Sequence, residues 1–275
     1  MEYRYHGVIP AERGRNVLPF NPCQLLDFTL LRLEAGDTWS GETGEREILG
    51  VILGGRAGFT VGDKHFEAVG GRADVFSGRP HSVYLPAGVV VRIEAVGPVE
   101  IALPSAPGEG ASIEPYVIAP DQVATGRWGA ANFSRTYHQI LTEIAQPELP
   151  AARLIVGETY TPSGNWSTYP PHRHTKDELP GEAMHEEMYY FRVNPTGGFG
   201  ISRVYTDDGY EENVSVRDHS MQMMPSGYHT IVSAPGYTTY FLWFLAGNQR
   251  TQGAQEDADL KWVGQRVPGL RELGL

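Results

Sequence analysis

The sequence predicts an all-β protein. Two observations carry that expectation. Glycine (33) and proline (20) are abundant in 275 residues, and both mark turns. Between the turns lie short apolar runs rich in β-branched and aromatic residues, spaced about ten residues apart as in a sandwich or barrel. Residues 28–35 form the first clear strand, closed by Gly36 and Asp37. Residues 48–53 are a second, ending at Gly54 and Gly55, and residues 58–62 turn at Asp63. Residues 82–86 and 89–95 continue the pattern. Residues 104–110 are rich in Pro, Gly and Ser and read as a linker, which divides the chain into 1–110 and 111–275. Residues 134–141 read equally as a short strand or a helical turn. The β pattern then resumes at 154–160, 188–193, 200–205, 221–224 and 238–245. The tail from Gln252 is polar, with Trp262 and Val263 expected to anchor it.

Composition narrows the function classes. A formal net charge of −11 disfavours nucleic acid, because phosphate contacts need clustered Lys and Arg. It leaves room for a small anion held by one or two local arginines. No apolar run approaches the ~18 residues of a membrane span. Residues 1–7 hold no apolar signal region. The single Cys23 cannot form an internal disulfide and fits a reducing cytoplasm.

Four residues point to chemistry. His172 and His174 share one face of a strand, since residues two apart point the same way. Glu187 follows, and His229 ends the turn that opens at Pro225 and Gly227. Three imidazoles and a carboxylate suit a divalent first-row ion. Zn²⁺ is the expected metal, with Mn²⁺ or Fe²⁺ as alternatives. Four protein ligands on a six-coordinate ion leave two positions for substrate oxygens. Glu186 competes with Glu187 for the carboxylate role.

The two halves also look alike. Gly36 to Ser40 resembles Gly164 to Ser167, and Glu47 onward resembles Glu187 onward. Pro86 to Val90 resembles Pro225 to His229, so Val90 takes the place of His229. The first half is therefore expected to be a barrel without metal.

These residues resemble the cupin superfamily, whose first motif is His-x-His before a Glu-bearing strand and whose second is Pro-x-Gly-x-x-His. The chain departs from the common pattern in two places. Twelve residues separate His174 from Glu187, and His219 stands where the second motif usually opens with Gly. The long insert is itself distinctive. Tyr169 to His174, Asp177 to Glu182, Glu186 to Pro195, Arg203 to Asp208 and Met224 to Thr230 are similar to the 5-deoxy-glucuronate isomerase family of inositol catabolism. That resemblance implies a bicupin, two jelly-roll barrels in tandem. It also implies a cytoplasmic enzyme converting 5-deoxy-D-glucuronate to 5-dehydro-2-deoxy-D-gluconate.

The implied reaction is an aldose–ketose isomerisation. A metal at the carbonyl would acidify the neighbouring carbon and stabilise the oxyanion. Strand parity from Glu187 puts Tyr189 and Phe191 on the ligand side. Glu187 and Tyr189 are the catalytic candidates, Tyr189 as proton relay or else as barrel core. Arg203 and Lys176 are the candidates for binding the substrate carboxylate. By parity Arg192 points away from the cup. Lys176, Asp177 and Glu178 form either a lid or a solvated loop. His65, His81, His138 and His185 have no spacing that joins them to the cup, and they read as ordinary polar residues. A small sugar acid is the expected partner and a homo-oligomer the expected assembly. An Fe²⁺ dioxygenase and a non-catalytic sugar-binding cupin are the competing readings.

Overall fold

The computed structural model describes residues 3–108 and 110–275. The fold is all-β: two barrels in tandem, the bicupin architecture. Each barrel pairs a large sheet with a small one. The first has a six-stranded sheet against a four-stranded sheet, and the second a seven-stranded sheet against a five-stranded one.

The central strands of the two large sheets are buried on both faces. In strand Arg46–Gly54, Leu49, Val51 and Leu53 face a core shared between the barrels, while Ile52 faces the interior of its own barrel. In strand His185–Asn194, Met188 and Tyr190 face the shared core, and Tyr189 and Phe191 face inward. A strand buried on both sides reads as a continuous apolar run rather than an alternating one. This explains why these two runs stand out in the sequence. The shared core stacks Phe28 on Tyr190 and on Phe244, with ring centroids 5.3 and 5.5 Å apart.

Each barrel lends a strand to the other. Strand His6–Val8 pairs with Ser220–Gln222 of the second barrel, and Tyr116–Ile118 pairs with Ser82–Tyr84 of the first. Residues 104–107, read as linker, instead complete strand Val99–Pro107 in the middle of the six-stranded sheet. Its pairing with Arg46–Gly54 passes from Ala102↔Val51 to Ser105↔Ile48, so Pro104, which lacks an N–H, falls in a gap in the ladder. The undecided segment forms strand Arg135–Leu141. Trp262 is 56% exposed and does not anchor the tail. Val263, Val267 and Leu270 do so, against Phe133 and Trp166.

Two buried carboxylates tie the barrels together crosswise. Glu47 accepts hydrogen bonds from the backbone N–H groups of Ala152, Arg153 and Leu154 at 2.6–2.7 Å and from the Tyr84 hydroxyl at 2.6 Å. Glu186 accepts from Gln24, Leu25 and Leu26 at 2.7–3.1 Å. Each glutamate thus holds the loop that enters a large-sheet strand of the other barrel, Ile155–Thr161 for Glu47 and Asp27–Leu33 for Glu186. A third tie is Glu158, which is fully buried and receives Arg72, His138, Tyr160 and Tyr240.

The reciprocity corrects the register of the internal repeat. Glu47 corresponds to Glu186, not Glu187. Ile48 sits opposite Leu85 and Glu187 opposite Met224, and each of these partners immediately precedes a proline. A one-residue slip reverses every side chain, and here it separates a strap from a site. Val90 is likewise 59% exposed and is not an interior counterpart of His229, which is fully buried.

Candidate metal centre and its cavity

His172, His174, Glu187 and His229 converge, with one donor atom from each lying within 4.8 Å of the others. Strand Trp166–Arg173 supplies His172, with His174 just past its end, and His229 comes from the paired strand Tyr228–Ser233. His172 lies directly opposite His229, with ring centroids 4.6 Å apart. His219, at the start of the motif, has φ 65°, the left-handed region that favours glycine and tolerates His better than most residues.

Hydrogen bonding orients the donors. His174 Nδ1 donates to the carbonyl of His185 at 2.6 Å, which leaves Nε2 facing Glu187 Oε2 at 2.9 Å. A ring nitrogen anchored to a carbonyl, with the other nitrogen aimed at a shared centre, is the arrangement of a metal-bound imidazole. His229 Nε2 lies 3.1 Å from the same carboxylate oxygen. Yet neither ring nitrogen of His229 has a hydrogen-bond partner, although both are buried. Buried polar atoms are rarely left so, and a cation among these donors satisfies Nε2, the nitrogen that faces Glu187. The residues fit a divalent ion.

Electrostatics agree. Burial pushes the Glu187 carboxyl up, but His174 and His229 push it down further, well below the usual carboxylate range. Burial lowers the His174 imidazole, and Glu187 together with backbone carbonyls, that of His185 among them, raises it by more. Burial, then His229 and His174, hold His172 neutral with its pKa well below the ordinary value. Glu187 thus stays ionised at neutral pH.

The cluster opens onto a cavity of about 430 Å³. Its wall includes Tyr189 from the strand of Glu187, Arg135, Tyr137 and Gln139 from strand Arg135–Leu141, and Phe241, Trp243 and Leu245. Gln252, Gly253 and Ala254 of the tail complete it. Two glycines make room for large rings. A Cβ on Gly157 would lie 2.0 Å from the Trp243 indole, and one on Gly126 would lie 2.3 Å from the Tyr137 hydroxyl. Burial, then Glu187, raises the Tyr189 phenol well above its ordinary value, so it keeps its proton.

Several sequence-based expectations need correction here. Arg203 does not line the cavity: its guanidinium is paired with Glu211 at 3.0 and 3.1 Å on the outer side of strand Gly200–Tyr205. In that strand Ser202 and Val204 take the buried positions. Lys176 is exposed and also does not line the cavity. The insert around Lys176 folds back on itself, with Glu182 accepting from the N–H groups of Thr175 and Lys176. Arg192 points away as expected and pairs with Glu100 at 2.6 Å. Glu186 turns toward the first barrel. His185, read as ordinary, lines the cavity and places its carbonyl on His174. The signal was parity: His185, Glu187 and Tyr189 lie on one face. Arg135, Tyr137 and Gln139 were missed because their segment was undecided.

The KduI/IolB family profile matches residues 12–263. The chain belongs to the KduI/IolB family. A relative named 5-deoxy-glucuronate isomerase in Geobacillus kaustophilus is 40% identical over 260 residues, covering 92% of each chain. One of the same name in Bacillus subtilis (strain 168) is 36% identical over 243 residues, covering 88% of each. At this identity and coverage the chain is an isomerase. The crystal structure of an IolB-like protein from Salmonella typhimurium superposes with a TM-score of 0.88 at 30% identity, covering 95% of this chain and 99% of that one. Lactobacillus farciminis oxalate decarboxylase shares the fold, with a TM-score of 0.65 at 12% identity and coverage of 93% and 89%.

Proposed function

We propose that this chain is a metal-dependent aldose–ketose isomerase that converts 5-deoxy-D-glucuronate to 5-dehydro-2-deoxy-D-gluconate in myo-inositol catabolism. The observation that carries the reading is the four-donor cluster opening into a cavity of sugar size, in a chain whose relatives bear that name.

His172, His174, Glu187 and His229 would hold one divalent ion, with Zn²⁺ proposed and Mn²⁺ or Fe²⁺ as the alternatives. When bound, such an ion supplies a Lewis-acid charge that favours loss of a proton beside a carbonyl and stabilises the developing oxyanion. Glu187 contributes a permanent negative charge and orients His174. Tyr189 keeps its proton and is proposed to donate it as a hydrogen bond to a substrate oxygen. Phe241, Trp243 and Leu245 exclude water from one side of the cavity.

The first barrel, within 1–110, is proposed as metal-free and structural. Among the described residues the cluster at His172 is the one group of three or more potential donors found. No described helix is long and apolar enough to cross a membrane. A cytoplasmic homo-oligomer is the proposed assembly.

The test joins metal analysis of the purified chain to a ¹H NMR assay with 5-deoxy-D-glucuronate. One divalent ion per chain is expected, with isomerisation that stops on chelation and returns on reloading. Full activity after complete metal removal sinks the metal role. Oxygen consumption without aldehyde–ketone interconversion replaces the reading with a dioxygenase.

A further inference from the structure

We infer that Arg135 is the residue that receives the substrate carboxylate, and that it fixes which end of the sugar acid faces the metal cluster. The inference rests on the isomerase reading above and names a subsite within the same cavity.

Arg135 begins strand Arg135–Leu141, whose alternate residues Tyr137 and Gln139 line the cavity with it. Among the described residues lining the cavity, it is the only Lys or Arg. Its Nη1 is buried and has no hydrogen-bond partner. Two other guanidiniums each meet a carboxylate. Arg72 meets Glu158 at 3.0 Å, and Arg192 meets Glu100 at 2.6 Å. Arg135 has no such carboxylate among the described residues. A guanidinium nitrogen buried without a hydrogen-bond partner is costly, and an anionic ligand removes that cost. The planar fork of donors matches a carboxylate.

Arg135 shares one cavity with the donor cluster, so a single small acid can meet both. Arg135 and His172 both line the main cavity and an adjoining one, which includes Trp128 and Thr168. A uronate carries one permanent negative charge, at the end opposite its aldehyde. With that charge on Arg135, the aldehyde and its neighbouring hydroxyl are left for the donor cluster. Tyr137, Gln139 and Thr159 offer further polar groups in the same cavity. Arg203, paired with Glu211 outside the barrel, has no route to this role.

The experiment uses the metal-loaded full chain and two aldehydes: 5-deoxy-D-glucuronate and its analogue with a primary alcohol in place of the carboxylate. In the wild type, kcat/KM for the alcohol is expected to be lower by about a hundredfold, the scale of losing one partner of a buried charge pair. Arg135→Gln should lower kcat/KM for the uronate by a similar factor, mainly through KM, and change the alcohol less than about threefold. Arg135→Lys should recover part of the loss, with metal content unchanged in both variants. An equal fall for both substrates overturns the proposal, because Arg135 then acts at the reacting end or on the fold. A wild type that treats both substrates alike also overturns it, and needs no variant to fold. Calorimetry with D-glucarate, which has no aldehyde and cannot react, separates this inference from the isomerase reading. Weaker binding to Arg135→Gln by at least about tenfold supports the subsite even if neither aldehyde is isomerised. Equal binding to both proteins overturns the subsite even if the isomerase reading stands.

Discussion

Strands Arg46–Gly54 and His185–Asn194 hold matching places in their barrels, yet their inward faces differ. The first offers Ile48, Gly50 and Ile52 where the second offers Glu187, Tyr189 and Phe191. A Cβ at Gly50 would lie 3.3 Å from Phe59, so the Phe59 ring fills the space that Tyr189 borders in the other barrel. Leu31, Val61, Val83, Val91, Ile93, Ile101 and Leu103 fill the rest. The same ladder therefore serves two ends. A barrel packed with aliphatic side chains stabilises the fold. One that keeps donors and a cavity of about 430 Å³ forgoes part of that packing for chemistry. The shared core and the crosswise glutamates join the two, so the filled barrel supports the open one.

The comparison breaks first at the metal cluster. His174→Ala is expected to remove most of the bound metal and lower kcat by at least about a thousandfold, with little change in circular dichroism. Full metal occupancy in that variant ends the assignment. The mirror experiment is Ile52→Ala, which opens a void in the first barrel. Chemical denaturation should show a loss of about 2–5 kcal/mol while the metal content per folded chain stays constant. Loss of metal without loss of stability would mean that the barrels do not divide their roles.

The crosswise ties sharpen the comparison at smaller scale. Glu47→Gln and Glu186→Gln each weaken a carboxylate bound by several N–H groups, and each should cost about 1–3 kcal/mol. Only Glu186→Gln adjoins a metal ligand, so only it should also shift metal affinity, read by competition with a chelating dye. Equal effects of the two on metal affinity would place the coupling in the whole fold.

The smallest effect concerns the strand lent by the N-terminal segment. Glu212 is buried, which raises its carboxyl, but His6, Tyr210 and the Arg4 N–H lower it to about 2, against an ordinary 4.5. Its contribution is complete above pH 4.5 and fades as pH falls from 4.5 through about 2. Hydrogen-exchange protection at strand His6–Val8, taken relative to the intrinsic rate at each pH, should fall over that window, and Glu212→Gln should flatten the dependence. An unchanged pH profile in the variant would remove Glu212 as the clamp.

The sequence by itself determined what depends on short-range pattern. Apolar runs bounded by Gly and Pro specified the all-β class, and the spacing of His172 and His174 specified a shared face. Glu187 and His229 were legible because a strand and a turn motif mark them. Parity also reached Tyr189, and it would have reached His185 had it been counted backward. What only the tertiary structure decided depends on partners far apart in the chain. Arg203 is on a strand of the right barrel, but which face of that strand is interior is set by its neighbours, and they turned it toward Glu211. Arg135 is indistinguishable in sequence from any strand arginine until the barrel places it on the cavity wall and buries its Nη1 without a partner. Glu186 and Glu187 are adjacent and chemically alike. They part because successive side chains on a strand point to opposite faces, and here one face meets the other barrel's loop while the other face meets three histidines.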